Sequence, residues 1–166
     1  MKNNISIIFR IDDRLIHGQV IVGWVKTLNL DNIIVANDKI LKDKMRINVM
    51  KIAVPLEIHS EFLSIKETAK SLQADTWRGY KTIILLESPE DAYKLAICDV
   101  GITEINVGGL HFQDNRKQIT SNLALNETDI EYLFKLHKLN IHLEGRGLPS
   151  DEPYDVIKAI SRNGNK

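Results

Sequence analysis

Short apolar runs alternate with segments of helical periodicity along most of the 166-residue chain. Nearly continuous β-branched runs are typical of strands that are covered on both faces of a parallel sheet. Apolar residues three or four positions apart are typical of the helices that cover such a sheet. The pattern predicts strands at 5–9, 31–36, 55–59, 82–86, 102–107 and 140–143.

Helical patterns follow most of these strands, and Ser88-Pro89 supplies a good N-cap and first helical position. The stretch 110–125 is the least regular and is expected to hold one or two short strands. Helices are predicted from 17–20 to 28, at 39–53, around 65–72, from 89, at 126–138 and at 153–162. The alternation predicts the α/β class, with a single domain over 1–166. Its expected architecture is an open, mostly parallel twisted sheet with helices on both faces.

Composition excludes several classes of protein. Hydrophobic residues make up 43% of the chain and charged residues 27%, which does not fit a disordered or collagen-like protein. The 22 basic and 22 acidic residues balance, so no basic surplus points to nucleic acid. Cys98 is the single cysteine, which excludes an internal disulfide framework and a thiolate metal cluster. Neither a signal peptide nor a membrane-spanning run is evident, so a soluble, cytoplasmic protein is expected.

The densest chemistry follows the first predicted strand, where ligands collect in parallel α/β folds. Positions 10–17 hold two arginines, two aspartates and His17 just before a predicted helix. A neutral imidazole can attack a phosphoryl group and later pass it on. The transferring group spreads negative charge over its oxygens, which the guanidinium fork of Arg14 suits. The residues therefore favour reversible phosphoryl transfer, although Asp and Arg in a loop also form plain surface ion-pair networks.

Neighbouring residues would assist that chemistry. The helix N-terminus at 17–20 offers unpaired N–H groups, and Gly18 permits close approach of a phosphoryl group. Asp12 or Asp13 could hold an arginine in place or fix the imidazole tautomer. His111 follows Gly108-Gly109 at a strand end and could border this site. His59 is expected to be a partly buried structural residue, and His137 and His142 surface or packing residues.

The run Arg10–Val20 closely resembles the active-site signature of IIB components in the mannose/fructose/sorbose family of the bacterial phosphoenolpyruvate-dependent sugar phosphotransferase system. The likeness weakens around 54–57, which leaves the loop after the third strand uncertain. Elsewhere it continues through Trp24, 33–38, 106–109 and 147–151. It therefore covers nearly the whole chain.

The resemblance implies that His17 is phosphorylated, with Nδ1 the expected atom, and that Arg14 steadies the phosphoryl group. It implies a phosphohistidine on a IIA protein as donor, and a sugar held by the membrane subunits IIC and IID as acceptor. No cofactor or metal is implied, and the chain would associate peripherally with the transporter. Residues 106–109 and 145–149 also resemble the branch associated with N-acetylgalactosamine. The supporting loop residues would be Arg10, Asp12, Asp13, Gly18 and Gln19.

Two other functions are open to an α/β chain of this kind. A receiver-like regulatory domain also has an acidic pair after strand one, as Asp12-Asp13 would supply, but 55–60 lacks the phosphoacceptor aspartate that ends strand three. A nucleotide-dependent enzyme would need a Walker or dinucleotide motif, and neither is present. Binding of free sugar is not expected. Aromatic residues make up only 6% of the chain, with Trp24 predicted in the core and Trp77 in a surface connection.

Overall fold

The computed structural model describes residues 7–163, which form two β-sheets and the helices around them. The strands are β1 (Ile7–Asp12), β2 (Asn32–Ala36), β3 (His59–Leu63), β4 (Thr82–Leu86), β5 (Glu104–Gly109), β6 (Lys117–Thr120), β7 (Leu123–Leu125), β8 (His142–Gly145) and β9 (Tyr154–Asp155). Seven of them form one sheet in the order β3-β2-β4-β1-β5-β8-β9, and β6 and β7 form a separate antiparallel pair. Neighbouring strands of the large sheet are parallel except β9, which pairs antiparallel with β8. The predicted fold class is confirmed.

The helical elements follow the strands, as the pattern predicts. They are a π-helix (Val20–Lys26), a 3-10 turn (Ile40–Lys42), α1 (Lys44–Ala53), α2 (Ile65–Gln73), α3 (Pro89–Ala96), α4 (Glu127–Lys138) and α5 (Val156–Asn163). Across residues 7–163, none of these helices has the length and apolar character needed to cross a membrane.

Alternate side chains of the central strands enter two separate cores. Ile33 and Val35 of β2 belong to the cluster beneath the π-helix and α1. Ile34 and Ala36 belong to the cluster that α2, α3, α4 and α5 cover. Since successive side chains of a strand point to opposite faces, a run that is apolar throughout requires helices on both faces.

The predicted third strand at 55–59 is wrong, because the strand is His59–Leu63. It lies at one edge of the sheet and is only partly buried, so it lacks the continuous apolar run that marks a central strand. The helix predicted at 39–53 is interrupted. Asp43 ends the 3-10 turn and caps α1, because its side chain accepts a hydrogen bond from the Arg46 N–H at 2.9 Å.

Both strands that form the floor of the site are longer at their carboxyl ends than the pattern predicts. Of the first predicted strand, residues 5 and 6 lie outside the described residues, and β1 continues to Asp12. Arg10 and Asp12 are therefore strand residues and not loop residues. Gly108 and Gly109 likewise belong to β5, which ends at Gly109 and not at Val107. Buried charges and glycines in these strands obscure the apolar pattern on which the prediction depends.

Candidate functional site

The buried guanidinium of Arg10 forms the floor of the site. It lies 4.7 Å above the centre of the Trp24 ring and donates to the Asp12 carboxylate at 2.9 Å and to the Asn106 side chain. Burial lowers the pKa of Arg10, and the charge of Asp12 opposes that shift. A Cβ at Gly108 would lie 1.7 Å from Arg10 Nη1, so only glycine leaves room for this side chain.

Asp12 connects that floor to His17. Its Oδ2 lies 3.0 Å from His17 Nε2, and its Oδ1 accepts from the Arg14 backbone N–H at 3.2 Å. Burial raises the pKa of Asp12, but the hydrogen bond with His17 and the charge of Arg10 outweigh it and hold the pKa below its ordinary value. The ionised carboxylate accepts a hydrogen bond from Nε2–H, so the proton stays on Nε2 and the lone pair of the imidazole is on Nδ1.

A strained turn brings His17 to the surface. Leu15 has a φ of 58°, in the left-handed region that costs a non-glycine residue roughly 1–2 kcal/mol. Its side chain is fully buried and that of Ile16 is nearly so, and this burial offsets the strain. His17 follows with a partly exposed ring, and its carbonyl accepts from the Ile21 N–H at 3.1 Å. His17 therefore stands at the N-terminus of the helical segment.

That segment has π geometry over Val20–Lys26, where the sequence predicts an ordinary helix. π-helical turns inside helices are rare and often lie at functional sites. The Trp24 indole N–H donates to the Gly147 carbonyl at 2.8 Å, which joins the helix to the loop after β8. Trp24 is thus buried, as predicted, and also supports Arg10.

Arg14 and Gln19 form the exposed rim beside His17. The Arg14 side chain is 45% exposed, and its Nη2 donates to Gln19 Oε1 at 3.0 Å. Gly18 is exposed with open space around its Cα, so its backbone is accessible to a ligand. The rim thus presents a cation and a helix N-terminus next to the imidazole.

Asp13 contacts a second group of residues beside the site. Its carboxylate lies 2.6 Å from His111 Nδ1 and accepts from Arg116 Nη1 at 2.7 Å. Arg116 is 8% exposed and also donates from Nε to Asp129 at 3.0 Å. The structure therefore places His111 at the border of the site, held by the neighbour of Asp12.

The contacts of three further residues of the site, Asn106, Arg46 and Arg116, are not predicted by the sequence. Arg116 falls in the least regular stretch of the chain, and Asn106 belongs to the run 106–109 of the family resemblance, which does not reveal its contact with Arg10. Arg46 belongs to a basic cluster typical of a solvated helix face, yet its guanidinium donates to Glu87 at 2.7 Å and to the Asp13 carbonyl at 3.5 Å. Contacts between residues so distant in sequence become visible only in the fold.

The remaining histidines lie apart from this site. His59 is exposed and pairs with Glu61 at 2.6 Å, so the expectation of a partly buried residue is wrong. His137 and His142 are exposed, as expected of surface residues.

One group of side chains near the site has the spacing of metal ligands. Ligand atoms of Asp12, Asp13 and His111 lie within 4.8 Å of one another. Arg10 and Arg116 pair with the two carboxylates and so supply the positive charge that a cation would bring.

Comparison with known proteins identifies the family. The family model described as "PTS system sorbose subfamily IIB component" matches residues 6–166. The fructose-specific EIIB component of Bacillus subtilis is 36% identical over 160 residues, which cover 96% of this chain and 98% of that protein. The crystal structure of the IIBSor domain of the sorbose permease from Klebsiella pneumoniae is 29% identical, with a TM-score of 0.87 and coverage of 95% and 97% of the two chains. An N-acetylgalactosamine IIB component from Streptococcus pyogenes is 32% identical, with a TM-score of 0.83 and coverage of 95% and 99%. The chain belongs to the sorbose-subfamily IIB components of the phosphotransferase system.

Proposed function

We propose that His17 is the residue that carries the phosphoryl group in this IIB component. Members of the family are phosphotransferases with a phosphocarrier role in sugar uptake, and that role belongs to this chain. The donor would be a phosphohistidine on a IIA protein, and the acceptor a sugar held by the membrane subunits IIC and IID. The chain would act in the cytoplasm, at the periphery of that transporter.

The contact between Asp12 and His17 Nε2 carries this proposal. Because Nε2 donates to Asp12, the nucleophile is Nδ1, and the ring makes no hydrogen bond through that atom within residues 7–163. In the first transfer a bond forms between Nδ1 and phosphorus while the phosphorus–nitrogen bond of the donor breaks. The donor imidazole leaves with the bonding electron pair. The Asp12 carboxylate stabilises the positive charge that develops on the His17 ring.

Arg14 and the helix N-terminus would bind the transferring group itself. The Arg14 guanidinium is close enough to the site to contact Gln19, and it is exposed enough to turn toward phosphoryl oxygens. Backbone N–H groups at Gly18 and Gln19 would add donors, aided by the helix dipole. These residues supply position and positive charge, which are what phosphoryl transfer chiefly requires from a protein.

The second transfer reverses the chemistry at His17. A sugar hydroxyl oxygen forms a bond to phosphorus, the Nδ1–phosphorus bond breaks, and the hydroxyl proton passes to water. The electron pair returns to Nδ1, and Asp12 keeps the Nε2 proton in place throughout. The His17 ring therefore ends in the tautomer in which it began, ready for another donor.

The identity of the sugar that accepts the phosphoryl group is a separate question. Relatives named for fructose, sorbose and N-acetylgalactosamine each match more than nine-tenths of this chain. Assignment to the N-acetylgalactosamine branch therefore stays a prediction from the resemblance at 106–109 and 145–149.

A receiver-like regulatory domain is not favoured. That mechanism needs free carboxylates, whereas Asp12 and Asp13 are paired with Arg10 and Arg116. It also needs an aspartate at the end of the third strand, and β3 ends at Leu63 before Ser64.

The chemical stability of the bound phosphate distinguishes the two functions. The full chain is incubated with a phosphorylated IIA donor, and its intact mass is measured after brief treatment with acid or alkali. We expect the phosphate to be lost in acid and retained in alkali, as a phosphohistidine would be. Loss in alkali alone would indicate an acyl phosphate on an aspartate and contradict the proposal.

A further inference from the structure

A stripe of exposed apolar side chains follows the outer side of α1. Met45 and Ile52 are 79% and 85% exposed, while Met50 on the inner side is 4% exposed. Positions 45, 49 and 52 fall on one side of a helix, because 3.6 residues complete a turn. We call this surface the α1 stripe; its residues are Met45, Val49 and Ile52 of the helix, together with the exposed Leu41 before it and Leu56 after it. The usual arrangement, with the apolar face inward and polar residues outward, is thus broken along this helix.

Basic residues border the α1 stripe. Positions 39–53 hold five basic residues and a single acidic one, although basic and acidic residues balance over the whole chain. Lys44 and Lys51 lie on one side of the stripe, and Arg46 lies on the other. Lys42, Lys44 and Lys51 are exposed. This combination requires an occupant that is apolar beneath and negatively charged at its surface.

The composition of the α1 stripe argues against a protein partner. Interfaces between proteins are enriched in aromatic residues, methionine and arginine and are depleted in lysine. The stripe contains Met45 but no aromatic residue, and three of the four cations that border it are lysines, with Arg46 the fourth. A second copy of this chain would bring two lysine-bordered stripes together, and like charges that face each other oppose such an interface, so it is not the expected occupant.

We propose that the α1 stripe binds the surface of an anionic lipid bilayer. Its apolar side chains would lie among the upper parts of the acyl chains, and its lysines would lie at the level of the lipid phosphates. The amino-terminal end of α1 adjoins the phosphoryl site, because Arg46 donates to the Asp13 carbonyl at 3.5 Å. Binding through α1 would therefore hold His17 close to the membrane plane. The proposal rests on α1 alone and does not depend on the assignment of His17.

Vesicle flotation with the full chain tests this surface. One set of vesicles contains only phosphatidylcholine, and the other mixes it with phosphatidylglycerol. We expect the parent to float with the anionic vesicles, more weakly as salt is raised, and not with the neutral ones. Each lysine near an anionic surface strengthens binding about fivefold, so the triple variant Lys42→Glu, Lys44→Glu, Lys51→Glu should bind roughly a hundredfold more weakly or worse.

A second variant tests the apolar part of the α1 stripe. Met45→Ser, Val49→Ser and Ile52→Ser together should weaken binding roughly tenfold or more, because the apolar area to be buried is lost. The matched controls are Lys66→Glu with Lys70→Glu, which reverses exposed lysines on α2, and Ile97→Ser, which removes an exposed apolar side chain elsewhere. Circular dichroism confirms that each variant is folded.

Three results would overturn the proposal. The first is that the parent does not float with anionic vesicles. The second is that the triple lysine variant and the triple apolar variant both bind these vesicles as strongly as the parent does. The third comes from sedimentation equilibrium. A dimer of the parent that the apolar variant loses would assign the α1 stripe to a second copy of the chain.

Discussion

Asp12 accepts hydrogen bonds from three groups, and each of them limits the freedom of His17 in a different way. The buried Arg10 guanidinium keeps the carboxylate ionised, and the Arg14 N–H fixes its rotation. The third bond, from Nε2, then sets the tautomer and orientation of the imidazole. Asp13 pairs with His111 and Arg116 instead. The two adjacent aspartates lie close together but have separate partners, because Asp12 ends β1 and Asp13 begins the turn that follows.

Replacing Asp12 should affect both stability and transfer. Asp12→Asn preserves the shape of the side chain but removes the carboxylate that pairs directly with the buried Arg10 cation, and breaking such a buried pair typically costs about 3–5 kcal/mol. We expect urea denaturation to show a loss of that size, together with much slower phosphorylation. The control is Asp75→Asn, whose exposed pair with Arg78 should contribute no more than about 1 kcal/mol. A variant as stable as the parent would show that Arg10 does not depend on Asp12.

The pH dependence of stability follows from the pKa of Asp12, which is lower in the folded protein than in the unfolded chain. Its contribution to the free energy of unfolding is complete above the unfolded value of about 3.9 and is lost as the pH falls toward the lower folded value. The contribution of Asp91 to the free energy of unfolding changes with pH in the opposite direction, because burial raises its pKa. Urea midpoints measured from pH 6 downward should therefore fall in acid, and less steeply in Asp12→Asn. Identical slopes in the two proteins would contradict this assignment.

Arg14 should act through the geometry of its guanidinium as well as its charge. Arg14→Lys should keep the fold, since the side chain is half-exposed, but it cannot make a two-pronged contact with phosphoryl oxygens. We expect single-turnover transfer to slow by roughly 30- to 1,000-fold, equivalent to about 2–4 kcal/mol. Arg78→Lys, at an exposed position elsewhere, is the control. Transfer at the parental rate would limit Arg14 to a structural role.

At the scale of elements, the apolar pattern locates the central strands and most helices, because these are the parts that burial dictates. It misplaces β3, an edge strand that is only partly buried. It also ends β1 and β5 too early, because Arg10 and Gly108 interrupt their apolar runs. The place of Arg10 inside a strand can be explained only when its partners on β5 and in the loop after β8 are known.

The residues of the site are also of two kinds, those that are adjacent in sequence and those that only the fold brings together. The motif Arg10–Val20 is contiguous in sequence, so its residues can be associated before the fold is known. Arg116 lies more than 100 positions from Asp13, in a stretch without regular periodicity, and the sequence offers no reason to join them. The strained φ of Leu15 is equally invisible in the sequence, since leucine rarely adopts it.

Arg116 should couple the loop after β5 to the phosphoryl site. Arg116→Gln would leave the largely buried carboxylates of Asp13 and Asp129 without their cation, at a cost on the order of 3 kcal/mol. We expect amide resonances of residues 110–116 to shift and transfer from a IIA donor to slow. Arg116→Lys should restore only part of the transfer rate, because an ammonium group lacks the fork that contacts both carboxylates. Full rescue by lysine, or unchanged spectra in Arg116→Gln, would exclude this coupling.

At the scale of the whole molecule, the chemistry collects at the carboxyl ends of β1 and β5, while both tryptophans lie in the interior. Trp24 is 2% exposed and Trp77 is 4% exposed. Trp77 lies in the connection between α2 and β4, as predicted, but the expectation that it is at the surface is wrong. Neither ring offers a face on which a sugar could stack. This arrangement fits the proposal that the membrane subunits hold the sugar.

The isolated chain should therefore not bind free sugar. Titration of hexoses and amino sugars, followed by amide NMR, should give no saturable shifts below about a millimolar, because a sugar site needs aromatic platforms and convergent hydrogen-bonding groups. Stereospecific binding in that range would move the choice of sugar into this chain.

The most direct test of the account is a count of phosphoryl groups on parent and variant chains. Each is incubated with a phosphorylated IIA donor, and its intact mass is measured without exposure to acid. We predict one phosphoryl group on the parent and on His59→Ala, whose exposed histidine lies apart from the site, and none on His17→Ala. A His17→Ala protein that is folded and still gains a stoichiometric phosphoryl group would contradict the central claim.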